Sequence, residues 1–164
     1  MEELLQFQEN SSGLFVRAQG HITAAISSGV REMIFERLSF PPPPKLLAVD
    51  LQACEYMDST FMGLLVGFHK RFKALTGTPL TILRPTQECL KLLSGLGILK
   101  LMTLVVDNTP PSPATWEPIS KMQKPTPEII LRAHKNLSEL SSVNAKAFGA
   151  LQSVLEEQIK KGED

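Results

Sequence analysis

The residues best equipped for chemistry stand together at Asp58-Ser59-Thr60, between the apolar run Leu46 to Leu51 and an apolar and basic segment from Phe61 to Leu75. A carboxylate and two hydroxyls at a helix start are, in the simplest reading, an N-cap, because their oxygens accept hydrogen bonds from first-turn amides. The same place can hold a phosphate, since the free N–H groups and the positive end of the helix dipole favour an anion. A phosphoryl group on Ser59 would add about −1.5 to −2 charges there, enough to disturb a docked surface without unfolding the helix. Composition alone leaves both readings open.

No other set of residues assembles a catalytic or metal site. His21 reads as a turn or strand-edge residue, His69 as part of a basic helix end with Lys70, Arg71 and Lys73, and His134 as a solvated helix position. None has a sequence context that would orient it as a base for Ser59, and no Gly-x-Ser-x-Gly elbow surrounds that serine. Asp50 and Asp58 make a weak acid/base pair; Asp50 reads instead as capping the strand end and shaping the surroundings of Ser59. A phosphoacceptor receiver built on Val49-Asp50-Leu51 would need an acidic pair after the first strand and a lysine after the last. Ala18-Gln19-Gly20 and Val106-Asp107-Asn108 stand in those places. Cys54 and Cys89 are far apart, with no C-x-x-C and no histidine pair nearby, which argues against zinc and against a disulfide framework. No enzyme activity, cofactor or metal is expected.

The elements that must position the triplet follow from periodicity and punctuation. Gly13 to Gln19 reads as a strand, with Gly20-His21-Ile22-Thr23 continuing it or turning. Thr23 can cap a helix from about Ala24 to Leu38, with Ile26, Val30, Ile34 and Leu38 on one face. Pro41 to Pro44 is a stiff surface connection. Leu46 to Leu51 suits a strand buried on both faces. A helix from Asp58 to Leu75 buries Phe61, Leu65, Phe68, Phe72 and Leu75 and leaves through Gly77. Pro79 to Leu83 is a strand, Thr86 caps a short helix through Leu93, and Leu101 to Val106 is a further strand. This alternation predicts an α/β fold, a sheet with helices packed against it.

From Asn108 the composition changes. Proline-rich sequence over 109–125 reads as a linker that Trp116 pins to the surface. Thr126-Pro127-Glu128 is a strong helix start, and two amphipathic helices are expected, about Pro127 to Leu140 and Ser142 to Lys161, with Ser141-Ser142 offering the second cap and Asn144 interrupting the apolar seam. Such a pair cannot bury its stripe alone, so it packs on the domain or on a second copy of the chain. The organisation is thus a domain over 1–108, a linker over 109–125 and a helical extension over 126–164.

Composition bounds the partners. The 164 residues are 43% hydrophobic, and 17 basic residues balance 17 acidic ones, so no overall field draws the chain to nucleic acid or to a membrane surface. The N-terminus lacks a basic region and a long apolar run, which predicts neither export nor membrane insertion but a cytoplasmic setting.

The strand ending in Val49-Asp50-Leu51, followed by Tyr56-Met57-Asp58-Ser59-Thr60-Phe61-Met62-Gly63-Leu64-Leu65, resembles the signature of STAS domains, the sulphate-transporter and anti-sigma-factor-antagonist family. The resemblance runs from about Gly13 to Asp107 and takes in Gly20-His21-Ile22-Thr23 and Leu93-Ser94-Gly95-Leu96-Gly97. It implies a STAS-like mixed β-sheet with helices packed against it, plus the C-terminal helical extension. It further implies a bacterial, cytoplasmic phosphoprotein regulating transcription by partner switching. Ser59 matches the serine phosphorylated by an anti-sigma factor with serine kinase activity, and a separate serine phosphatase reverses the mark. Asp58, Ser59, Thr60, Phe61 and Met62 would meet the partner, supported by Asp50 and Gly63. Where many members have glycine, this chain has Phe61, whose bulk would stand beside the hydroxyl. The resemblance gives no role to the C-terminal helices, whose apolar stripe could pair two copies as a homodimer. The alternative is a STAS scaffold or ligand-sensing subunit of a larger signalling complex, with no phosphorylation switch.

Overall fold

The computed structural model describes residues 3–106, 115–119 and 125–163. Its centre is β3 (Leu47–Met57). Leu47 to Leu51 are all buried, as the apolar residues of a parallel strand covered on both faces should be, with Asp50 the one charged residue among them. Parallel to it run β2 (Gly13–Ile22) on one side and β4 (Thr81–Leu83) on the other, with β5 (Thr103–Val105) beyond β4. Next to β2 lies the antiparallel β1 (Leu4–Asn10). A two-residue edge strand, β6 (Glu117–Pro118), closes the order β5-β4-β3-β2-β1-β6. The sheet is therefore mixed, as expected.

Helices connect the parallel strands, because a parallel pair needs a crossover. These are α1 (Ala24–Leu38), α2 (Ser59–Thr76) and α3 (Gln87–Gly95). In α2, Phe61, Leu65, Phe68 and Phe72 are completely buried. Burying each such side chain contributes about 1.5–3 kcal/mol. Phe68 meets Phe35 of α1 edge to face, with ring centroids 5.5 Å apart, which holds α1 and α2 side by side. Leu75, expected on the same stripe, is exposed, since α2 ends one residue later. Gly77 takes a left-handed conformation (φ 75°) and donates its N–H to the Lys73 carbonyl, ending α2 where expected.

The extension forms α4 (Pro127–Ser138) and α5 (Ser142–Glu163). Thr126 caps α4 by accepting from the Ile129 N–H at 3.3 Å, and Ser141 accepts from the Asn144 N–H at 3.0 Å. Asn144, which breaks the apolar seam, is buried and donates to the carbonyls of Leu96 and Leu137. It ties the extension to the end of α3. Trp116 lies over the Arg17 guanidinium, 4.2 Å from it. Most of the expected linker, including Pro110, Pro111 and Pro113, and the Asp107-Asn108 step lie outside the described residues.

Thr23 departs from its expected role. It occupies the N-cap position of α1, but its side chain makes no capping hydrogen bond. The cap comes instead from Asp58.

Candidate functional site

The site begins where β3 hands over to α2. Asp58 has extended backbone (φ −83°, ψ 172°), which aims its carboxylate back over the first turn. One oxygen accepts the Phe61 N–H at 2.9 Å, the N-cap bond of α2. The other accepts the Ala24 N–H at 2.7 Å, thirty-four residues away at the start of α1. One carboxylate thus caps both helices and draws their positive ends together at one corner.

Ser59 is the first residue of α2, half-buried beside that corner. Its Oγ lies 2.8 Å from Nε2 of His134 on α4. Nδ1 of the same ring is 2.7 Å from the Ile130 carbonyl oxygen, which can only accept, so the neutral ring carries its proton on Nδ1. Nε2 then accepts, and the Ser59 hydroxyl donates. His134 is 1% exposed and stands edge-on to Phe148 of α5, with centroids 5.1 Å apart. The expected solvated helix position is thus a buried partner of Ser59: α4 packs on α2, so the ring points inward. The pair polarises the serine hydroxyl. Because Nδ1 faces a neutral carbonyl and not a carboxylate, the ring has no counter-charge to support a full proton transfer.

Packing of α4 on α2 depends on small residues. A Cβ placed on Gly63 would come within 2.2 Å of the Ala133 carbonyl oxygen, and one on Gly67 within 3.0 Å of the Asn136 amide nitrogen. Asn136 donates to the Gly63 carbonyl at 3.2 Å, and Lys70 reaches Asn136 at 3.3 Å and the Glu139 carboxylate. Beside Ser59 an open hollow of about 430 Å³ runs between α2, α3 and α5, lined by Tyr56, Met62, Lys91, Leu92, Leu96 and Phe148.

Four expected site residues, Phe61, Thr60, Met62 and Asp50, are buried and not on an accessible surface. Phe61 is fully buried against the sheet; two positions on from Ser59, the helix has turned its side chain into the core, so its bulk does not stand beside the hydroxyl. Thr60 and Met62 are 4% and 5% exposed, Met62 forming part of the hollow's lining. Asp50 neither caps a strand end nor borders Ser59. It lies early in β3, seven residues before Met57, or about 23 Å along an extended strand. There it is buried, pairs with the Arg84 guanidinium and accepts the Gln52 N–H at 3.0 Å.

The other candidates are structural. His69 is buried and not at a solvated helix end; its Nδ1 accepts the Leu80 N–H at 3.2 Å. Burial pushes its pKa down, helped by Lys73 and Lys70. His21 is exposed next to Glu55, as a strand-edge residue should be. Cys54 and Cys89 are buried free thiols, and hydrogen bonding to Cys89 together with burial raises the Cys54 pKa. Among the described residues no group of His, Cys, Asp or Glu could hold a metal ion, and no helix is long and apolar enough to cross a membrane.

Sequence reasoning missed His134, Asn136 and the role of Gly67. The available signal was a stripe of small residues on α2, Ser59, Gly63 and Gly67, spaced by four and opposite the phenylalanine stripe.

Comparison with known proteins agrees with this architecture. Residues 5–111 match the STAS domain. The fold is similar to that of a solved structure described as the anti-sigma factor antagonist SpoIIAA in its unphosphorylated form, at 17% identity and a TM-score of 0.53. That match covers 64% of this chain and 89% of the other. No curated protein matches the sequence significantly.

Proposed function

This chain belongs to the STAS domain family, and from that premise we propose that it is an anti-sigma factor antagonist whose partner is an anti-sigma factor with serine kinase activity. Docking releases the sigma factor, and phosphorylation of Ser59 by that kinase switches the antagonist off. A separate serine phosphatase restores it. The setting is the bacterial cytoplasm, and the contacts are between proteins, with no nucleic acid, membrane or cofactor. The observation that carries the reading is the position of Ser59: first residue of α2, directly after a capping aspartate, at the lip of an open hollow. The solved structure that shares this fold is itself described as an anti-sigma factor antagonist.

The switch is electrostatic. A phosphate on Ser59 would have to be desolvated in the interface, and a loss of about 3 kcal/mol weakens binding roughly a hundredfold. Incubation with ATP and candidate anti-sigma kinases tests it. A mass gain of one phosphate that disappears in Ser59→Ala is expected; no gain with any such kinase would overturn the switch.

The engagement of Ser59 with His134 favours a second reading, a STAS scaffold or ligand-sensing subunit without a switch. On that reading Ser59 stays unmodified and the hollow takes the ligand. Homodimerisation through the extension completes the proposal. Val143, Leu151 and Val154 are exposed on α5, and Lys146 and Glu157 lie along one flank of that row, where antiparallel copies would bring opposite charges together.

A further inference from the structure

The face of α2 that carries Ser59 is already occupied. Ser59, Gly63, Gly67 and Lys70 recur every three or four residues along it, and α4 lies against all of them. At Gly63 the approach of the two backbones is too close for any side chain. Leu137 of α4 is fully buried in the domain's core and is the apolar anchor of the seam; the hydrogen-bonded contacts across it are Ser59 to His134, Asn136 to the Gly63 carbonyl, and Lys70 to Asn136 and Glu139. Such groups find water or another partner when the seam opens, whereas an exposed phenylalanine does not.

We propose that this face is a helix-docking surface in its own right, filled in cis by α4, and that a protein partner engages it by placing an amphipathic helix where α4 now lies. The identity of that partner rests on the anti-sigma reading above; the docking surface does not. The present occupant specifies the chemistry of the incoming helix. It carries a small residue where Ala133 sits, an acceptor for the Ser59 hydroxyl where His134 sits, and, for Lys70, an acidic residue where Glu139 sits, five residues after His134. Two helices cannot share the face, so α4 competes with the partner at the high effective concentration of a tethered segment. The extension thereby sets the threshold for docking at Ser59.

The test uses the full chain. His134→Ala with Asn136→Ala weakens the cis helix and leaves α2 untouched; Glu139→Lys, an exposed change that places a cation against Lys70, does so independently should the first variant fold poorly. A fluorescent peptide of residues 126–141 is added to each and followed by anisotropy, with hydrogen exchange across 127–138 reporting the cis helix. The loosened chains are expected to exchange faster in α4 and to bind the peptide at least tenfold more tightly than wild type. Adding Gly63→Ala is expected to abolish that binding. Unchanged exchange in both variants, no peptide binding to a loosened chain, or binding indifferent to Gly63→Ala would each overturn the docking surface. If the peptide behaves as expected but a kinase-type anti-sigma factor binds loosened and wild-type chains equally, the surface stands and its assignment to that partner falls.

Discussion

The two long faces of α2 contrast in what holds them. The face toward the sheet presents Phe61, Leu65, Phe68 and Phe72, all fully buried and without a polar contact to exchange. Toward α4 the helix presents Ser59, Gly63, Gly67 and Lys70, which gain their hold from backbone proximity and hydrogen bonds. The first face is the cooperative core of the domain, since its apolar side chains have nowhere else to go. The second resembles a subunit interface, with one apolar anchor at Leu137 of α4 and polar contacts that water can satisfy. One helix therefore serves both as foundation and as docking rail, and Asp58 joins the roles by fixing where α2 begins.

The largest break in this contrast comes from the inner face. Phe68→Ala should cost about 3–5 kcal/mol, because the cavity between α1, α2 and the sheet cannot collapse; denaturant titration checks it. Asp58→Ala removes caps from two helices at once and should cost about 2 kcal/mol, with α1 amides losing hydrogen-exchange protection alongside those of α2. A loss confined to α2 would show that the bond to Ala24 contributes nothing.

Smaller effects follow on the outer face and the surface. Gly63→Ala should unseat α4 while leaving the domain's main unfolding transition within a few degrees of wild type by calorimetry. His69 supplies a pH dependence from the inner side. Its folded pKa lies below the ordinary 6.5 because burial opposes the charge, so the unfolded chain binds more protons and stability falls as pH drops below about 6.5. His69→Gln should flatten the melting temperature over that window. Val154→Glu should leave stability unchanged and lower only the fraction of dimer seen by sedimentation.

The sequence made the inner face legible because phenylalanines at helical spacing have one physical use. The parallel strands, the Gly77 exit and the caps at Thr86 and Thr126 were legible for the same kind of reason: each depends on local chemistry. β1 escaped because Gln6, Gln8 and Glu9 interrupt its apolar pattern, and its pairing with β2 is decided by the partner strand. Thr23 looked like a cap but lost to Asp58, a long-range competitor that no local window reveals. Asp50 was drawn toward Ser59 by nearness in sequence, yet an extended strand carries it far away and into the pair with Arg84. His134 appeared solvated since its helix was read alone; the helix packs on two glycines, and their meaning emerges only when the second backbone is in place.

Native-state hydrogen exchange read separately for α2 and α4 tests the contrast most directly. Amides of α4 are expected to open with a free energy well below that of global unfolding and a small denaturant dependence, while the α2 core amides at Leu65 and Phe68 exchange only through global unfolding. Equal opening energies and equal denaturant slopes in the two helices would mean that both faces of α2 belong to one core, and would contradict the account.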